Sequence, residues 1–206
     1  MNRNRNQLWL LAVLLPLAIA GAVALSLQAH AQSNSALKPP LGAKVAIVVF
    51  EDLQCPDCAR AHQLLEEAAR TYKIPLVRHD FPLPMHPWSF DAAVLGRYFD
   101  TKSNKLGSAF RDYVFEHQAE ITKENLRATA EKFAKEHNTT LPFAADPRGK
   151  LTGEVNADKD LATRIGIDHT PTIYVVTNGH TTPPFVEVVD RADLFRIIDT
   201  LRAEAQ

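Results

Sequence analysis

The sequence predicts an α/β fold with a block of helices inserted into it, on three observations. A β-branched run, Val45-Ala46-Ile47-Val48-Val49-Phe50, leads directly into a segment of helical periodicity and then a second apolar run, Ile74 to Phe81, which is the pattern of a βαβ unit. From Pro87 to Ile167 the apolar spacing becomes helical throughout. After that block, two more extended runs and a closing amphipathic helix return the chain to the α/β pattern.

The first strand is short, free of Gly and Pro, and rich in residues that fit a pleat, so it reads as buried. In the helix after it, Ala61, Leu64, Leu65, Ala68, Ala69 and Tyr72 share one face, with Arg60, Glu66, Glu67 and Arg70 opposite. The second strand, opened by Pro75, should lie parallel to the first. Pro82, Pro84 and Pro87 then break the chain. Four helical pieces follow: Phe90 to Tyr98, Leu106 to Val114, a third capped by Thr122 with Leu126, Ala130, Phe133 and Ala134 buried, and a fourth from Leu151 to Ile165. Gly166 stands where a helix ends in a left-handed residue. Thr172 to Val176 and Phe185 to Val189 read as antiparallel strands around Asn178-Gly179, with Pro183-Pro184 lengthening the connection. Asp190 caps a last helix facing inward through Leu194, Ile197, Ile198 and Leu201.

The chemistry is concentrated in Cys55-Pro56-Asp57-Cys58, where the first strand gives way to the first helix. A helix's opening turn has unpaired N–H groups and the positive end of the macrodipole, so a sulfur placed there is favoured as thiolate. Cys55 is that sulfur, and cysteines so placed titrate at roughly 3.5–7.5 instead of about 8.5. Pro56 suits the first helical position, where an N–H would have no partner. Cys58 lies one turn on, close enough to close a disulfide and less open to solvent. Half of a zinc site is the first competing reading, but the chain has 2 cysteines in all, leaving His62 and His169 to complete a mixed set. A structural disulfide is the second, and a bridge over so short a loop constrains the unfolded chain little. Redox chemistry is favoured over both. His30, His79, His86, His117, His137, His180 and both tryptophans have no spacing that demands a function, and the Asn138-Thr139-Thr140 sequon reads as chance.

A chain of 206 residues, 46% of them hydrophobic, supports one core. Its formal net charge of −1, with no basic cluster beyond the N-terminus, argues against a nucleic-acid partner. Arg3 and Arg5, the apolar run Leu8 to Leu27 and Ala29-His30-Ala31 read as a signal peptide over residues 1–31, cleaved after Ala31. The run is also near the roughly 20 residues that span a bilayer, so an uncleaved anchor is the alternative. Either way the cysteines face a compartment where disulfides persist. Residues 32–42 read as a linker, and 43–206 as the folded domain with its insertion at about 87–167.

Three ordered segments carry a family resemblance: Phe50-Glu51-Asp52-Leu53-Gln54-Cys55-Pro56-Asp57-Cys58; Asp80-Phe81-Pro82-Leu83 with His86-Pro87; and Gly166-Ile167-Asp168-His169-Thr170-Pro171-Thr172. Over Ala43 to Ala203 the chain resembles the DsbA-like thiol:disulfide oxidoreductases, which implies a thioredoxin fold with an inserted α-helical subdomain. The resemblance further implies that Cys55 is the nucleophile, Cys58 the resolving thiol and Pro171 a cis-proline packed against them. Thr170, Pro171, Pro56 and Asp57 would meet substrate, with the Thr170 N–H and C=O free to pair with an extended peptide. No metal or cofactor is implied, and a monomer is expected. Substrates would be reduced or unfolded exported proteins in the periplasm, and reoxidation would fall to a membrane partner of the DsbB or vitamin K epoxide reductase type.

The chain departs from the family in two places. Asp57 stands where such oxidants often have His, and a carboxylate there should oppose the Cys55 thiolate. Val49 occupies the position, six before the first Cys, of a common acidic residue; Glu51 and Asp52 read as solvated turn residues. The leading expectation is an oxidant. A reductase is disfavoured by Gln54 in place of Trp, and an isomerase by the short linker, although Thr170 resembles those isomerases. A non-enzymatic copper carrier using Cys55, Cys58 and one His is the alternative from another class.

Overall fold

The computed structural model describes residues 37–205, and its compact unit begins at Lys38. The leader and the first part of the linker, residues 32–36, lie outside the described residues. Four strands form one mixed sheet in the order β2-β1-β3-β4. β1 (Val45–Glu51) is a central strand buried along its whole length, as its unbroken apolar run requires. It pairs parallel with β2 (Leu76–Asp80) and antiparallel with β3 (Thr172–Thr177), so Ile47 stands between Leu76 and Val175. β4 (Phe185–Val186) lies antiparallel at the edge.

Helix α1 (Pro56–Tyr72) crosses from β1 to β2 and packs with α6 (Arg191–Glu204) on one face of the sheet. Val45, Ile47, Val49, Ile173 and Val175 meet Ala61, Leu65 and Ala68 from α1 and Leu194, Ile198 and Leu201 from α6. This is the alternation a strand imposes, every second residue pointing to the same face. Asp190 caps α6 by accepting from the Asp193 N–H at 2.8 Å.

Between β2 and β3 the insertion consists of α2 (Ser89–Asp100), α3 (Asn104–Glu116), a 3-10 turn (Gln118–Glu120), α4 (Leu126–Glu136) and α5 (Lys150–Arg164). Its core is a triangle of rings, Phe99, Phe110 and Phe133, with centroids 4.7–5.2 Å apart. Cys55 and Cys58 belong to this second core. The helix bearing them therefore lies between the two: its Ala61, Leu65 and Ala68 face the sheet, while its first turn faces the insertion. Charges join the insertion to β2, with Arg97 paired to both Asp80 and Asp158 and Arg111 4.0 Å from Asp80, while within the insertion Arg111 is bonded through two nitrogens to Asp100. Among the described residues no helix is long and apolar enough to cross a membrane.

Two local expectations are corrected. The last strand is not Phe185 to Val189 but two residues: after a last in-register bond from the Glu187 N–H to the Pro171 carbonyl at 2.8 Å, Glu187 adopts φ +60° and the Val188 N–H turns back to the Val186 carbonyl at 2.6 Å. Thr122 is not the cap of α4. Its hydroxyl accepts from the Asn125 N–H and its own N–H donates to the Asn125 carboxamide, closing a turn that ends where α4 begins, at Leu126. Gly166 does take the left-handed conformation after α5, at φ +78°.

Two glycines should respond oppositely to alanine. A Cβ at Gly107 would come 1.7 Å from the Asp100 carboxylate oxygen and 2.9 Å from the Asp100 backbone nitrogen, so the α2–α3 contact must open. Gly107→Ala should lose about 1–3 kcal/mol in denaturant unfolding. Gly153, inside α5 with open space around it, should gain up to about 1 kcal/mol as alanine.

Candidate active site

The turn from Asp52 to Cys55 joins the C-terminal end of β1 to α1. The Cys55 N–H bonds back to the Asp52 carbonyl at 3.0 Å, and Cys55 is the N-cap of the helix, with extended φ −76° and ψ 122°. Pro56 follows at the first helical position and is exposed; Asp57 is half-buried. Both sulfurs are free thiols and buried, Cys55 5% exposed and Cys58 2%. Opposite them the Thr170–Pro171 peptide is cis, and the Cys55 thiol donates to the Thr170 carbonyl at 3.3 Å. The Asp52 N–H donates to Cys58 Sγ at 3.4 Å. Cys55, Cys58, Thr170 and Pro171 thus form one buried group at the mouth of α1.

The two thiols differ in acidity. Cys55 is lowered from 9.0 to about 6, chiefly by a hydrogen bond from Cys58 to its thiolate; burial opposes this, and the Thr170 side chain and the Cys58 backbone N–H assist. Cys58 is pushed well above 9.0, first by burial and then by its bond to Cys55. The Thr170 hydroxyl is buried and has no hydrogen-bond partner while Cys55 is a thiol, which leaves it available as a donor to the ionised sulfur.

Several expectations change here. The carboxylate that opposes the Cys55 thiolate is Asp52, not Asp57. Asp57 turns outward in the first turn of α1 and pairs with Arg60 one turn on. Glu51 and Asp52 are not solvated turn residues but are 3% and 1% exposed. Arg78 holds both oxygens of Glu51, each at 2.7 Å. Asp52 accepts from the Gln54 and Leu83 N–H groups and from His86 Nδ1, each at 2.7 Å. The Thr170 carbonyl is not free for a peptide in this state, since the Cys55 thiol occupies it.

Neither histidine named for a mixed metal site turns toward sulfur. His62 Nδ1 accepts from Arg78 at 3.2 Å, which puts its proton on Nε2, 2.8 Å from Asp112. His169 is exposed beside Asp168. Among the described residues, ligand atoms of His62, Glu66 and Asp112 do lie within 4.8 Å of one another. The Arg78 guanidinium, 2.7 Å from Glu66, already supplies the positive charge there.

Gln118 is a site residue that spacing could not reveal. From the 3-10 turn of the insertion, its Nε2 donates to the carbonyls of Leu53 and Cys55 at 2.9 and 3.1 Å. Gln54 similarly accepts from the Trp88 N–H at 3.0 Å. His86 was visible only as part of the Asp80 to Pro87 segment, with no mark to pair it with Asp52.

A family model described as thioredoxin matches residues 41–198. The chain belongs to the thioredoxin family. Its fold, the thioredoxin sheet and helices with a helical insertion, is similar to that of two solved proteins. A cysteine-to-alanine variant of Wolbachia pipientis alpha-DsbA1 matches with TM-score 0.69 and 19% identity, over 84% of this chain and 96% of that one. A linker-deletion variant of Proteus mirabilis ScsC matches with TM-score 0.69 and 20% identity, over 98% and 97%. Among curated proteins, Na(+)/H(+) antiporter NhaA 3 of Salinispora tropica is 26% identical over 160 residues, 76% of this chain. The chain spans about a quarter of that relative's length, 24%.

Two measurements check the electrostatics of this thioredoxin-family site. Because the folded value for Cys55 lies below the unfolded one, ionisation stabilises the reduced fold fully above pH 9.0, less as the pH falls, and not at all below about 6. At pH 7 the gain is about 1.4 kcal/mol. Denaturant unfolding of the reduced protein between pH 5 and 9 should show this rise; the disulfide form, with no thiol to titrate, should not. Thr170→Val keeps the side chain's shape and removes the hydroxyl, so ultraviolet titration of the thiolate should give a Cys55 value above about 6.

Proposed function

We propose that the protein is a thiol:disulfide oxidoreductase that exchanges a Cys55–Cys58 disulfide with the cysteines of substrate proteins, working as an oxidant. The observation that carries this reading is the placement of Cys55 at the N-cap of α1, 3.3 Å from the residue before a cis-proline, with Cys58 buried one turn behind it. A thiolate stabilised there favours the reduced protein, and so makes the disulfide more ready to accept electrons.

In the first step a substrate thiolate attacks Cys55 Sγ of the disulfide. The Cys55–Cys58 bond breaks, a mixed disulfide forms, and the electron pair leaves on Cys58, which takes up a proton in keeping with its raised pKa. A second substrate thiolate then attacks the substrate sulfur of the mixed disulfide. The substrate gains its disulfide, and Cys55 departs as the more stable thiolate. Two electrons now rest on the protein. Once Cys55 is in the mixed disulfide it has no S–H to give to Thr170, so that carbonyl is released to receive an extended substrate backbone beside Pro171.

We place this chemistry outside the cytoplasm, with residues 1–31 as a signal peptide or anchor and the folded part in the periplasm. Electrons would pass from the reduced protein to a membrane partner of the DsbB or vitamin K epoxide reductase type. Reduced, unfolded exported proteins are the substrate class, and the catalyst is a monomer.

The test is a glutathione equilibrium of the purified protein combined with oxidation of a reduced, unfolded ribonuclease. An oxidant reaches a measurable equilibrium with glutathione and restores ribonuclease activity; a reductase lies far below glutathione and does not. Cys55→Ser should abolish turnover, whereas Cys58→Ser should accumulate a mixed disulfide through Cys55. Failure of Cys58→Ser to trap substrate would overturn the assignment of the two sulfurs.

A further inference from the structure

Four carboxylates lie on the segments around the two thiols, and three have a partner of fixed or exposed charge. Glu51 is held through both oxygens by Arg78, which also reaches Glu66. Asp57 is paired with Arg60, and on the cis-proline loop Asp168 lies against His169, which also approaches Glu187 at 3.9 Å. Asp52 differs. Its side chain is fully buried, and two of its three bonds come from neutral backbone N–H groups of Gln54 and Leu83. The third comes from His86, whose ring is 19% exposed on the loop between β2 and α2. The carboxylate that opposes the Cys55 thiolate therefore has as its third partner an ionisable imidazole within reach of solvent.

We propose that His86 is a positioning residue whose protonation state, transmitted through the buried Asp52 carboxylate, sets how much negative charge the Cys55 thiolate faces. With His86 protonated, Asp52 is neutralised and the thiolate is favoured; with His86 neutral, the carboxylate opposes the thiolate in full. The geometry makes the coupling direct. Asp52 supplies its N–H to Cys58 Sγ and its carboxylate to His86, so the pair links the solvent-facing imidazole to the sulfur-bearing turn. This rests on the exchange reading and adds to it a control by pH, under which the disulfide is a stronger oxidant in acid than the two cysteines alone would make it.

The experiment is a thiolate titration by ultraviolet absorbance on the full reduced chain, for the wild type, His86→Gln, Asp52→Asn and the double variant. His86→Gln keeps an N–H donor but removes the charge, and should raise the proton affinity of Cys55 about three- to tenfold. Asp52→Asn should lower it, and in that background His86→Gln should have no further effect. An unchanged titration in His86→Gln, or an equal shift with and without Asp52, overturns the proposal. Should Asp52→Asn not fold, the glutathione equilibrium of wild type and His86→Gln across pH decides: the two must diverge in acid and converge in alkali, which a purely structural role would not produce. A wild-type Cys55 that titrates like free cysteine would instead defeat the exchange reading itself.

Discussion

The contact between Cys55 Sγ and the Thr170 carbonyl joins segments 115 positions apart in the chain, and the rest of the molecule serves to hold it. One side is the start of a helix pinned to the end of a fully buried strand; the other is the peptide before Pro171, anchored by the start of β3 and by the Glu187 N–H. Each side is rigid for its own reason. Their meeting places a sulfur where orphan helical N–H groups, a thiol donor from Cys58 and a buried hydroxyl all favour negative charge, against the cost of burial.

The two hydrophobic cores divide the labour. The sheet core, built by α1 and α6 on β1 and β3, fixes the axis of the helix. The insertion core takes in both sulfurs, together with Leu53 and Trp88, and keeps water from Cys58. Gln118 completes the join, since its carboxamide holds two carbonyls of the active-site turn from the insertion side. The insertion is thus a wall of the site as well as a neighbouring lobe.

Much of this was legible in the residues, and the misses have physical causes. β1 could be read because an unbroken β-branched run has few other uses, and α1 because its apolar spacing is regular over four turns. The pair Cys55 and Cys58 announced itself by position at a strand–helix junction. The residues make β4 look longer than it is because apolar ones continue past Val186, while the backbone turns aside at Glu187, where φ is positive and the Val188 N–H closes on the Val186 carbonyl, a turn the apolar pattern does not record. Asp57 adjoins Cys55 in sequence and so looks like the opposing charge, yet at that helical position its side chain pairs with Arg60. Asp52 and His86 are 34 positions apart and meet only once β1 and the loop after β2 are both in place.

The left-handed kink at Glu187 has a further result. It leaves the outer margin of the sheet with a strand only two residues long, flanked by Pro183-Pro184 on one side and a turned backbone on the other. Another chain seeking to zip onto that margin finds almost no template of regularly spaced amides. That margin therefore gives a foreign strand no run of amides on which a sheet could grow.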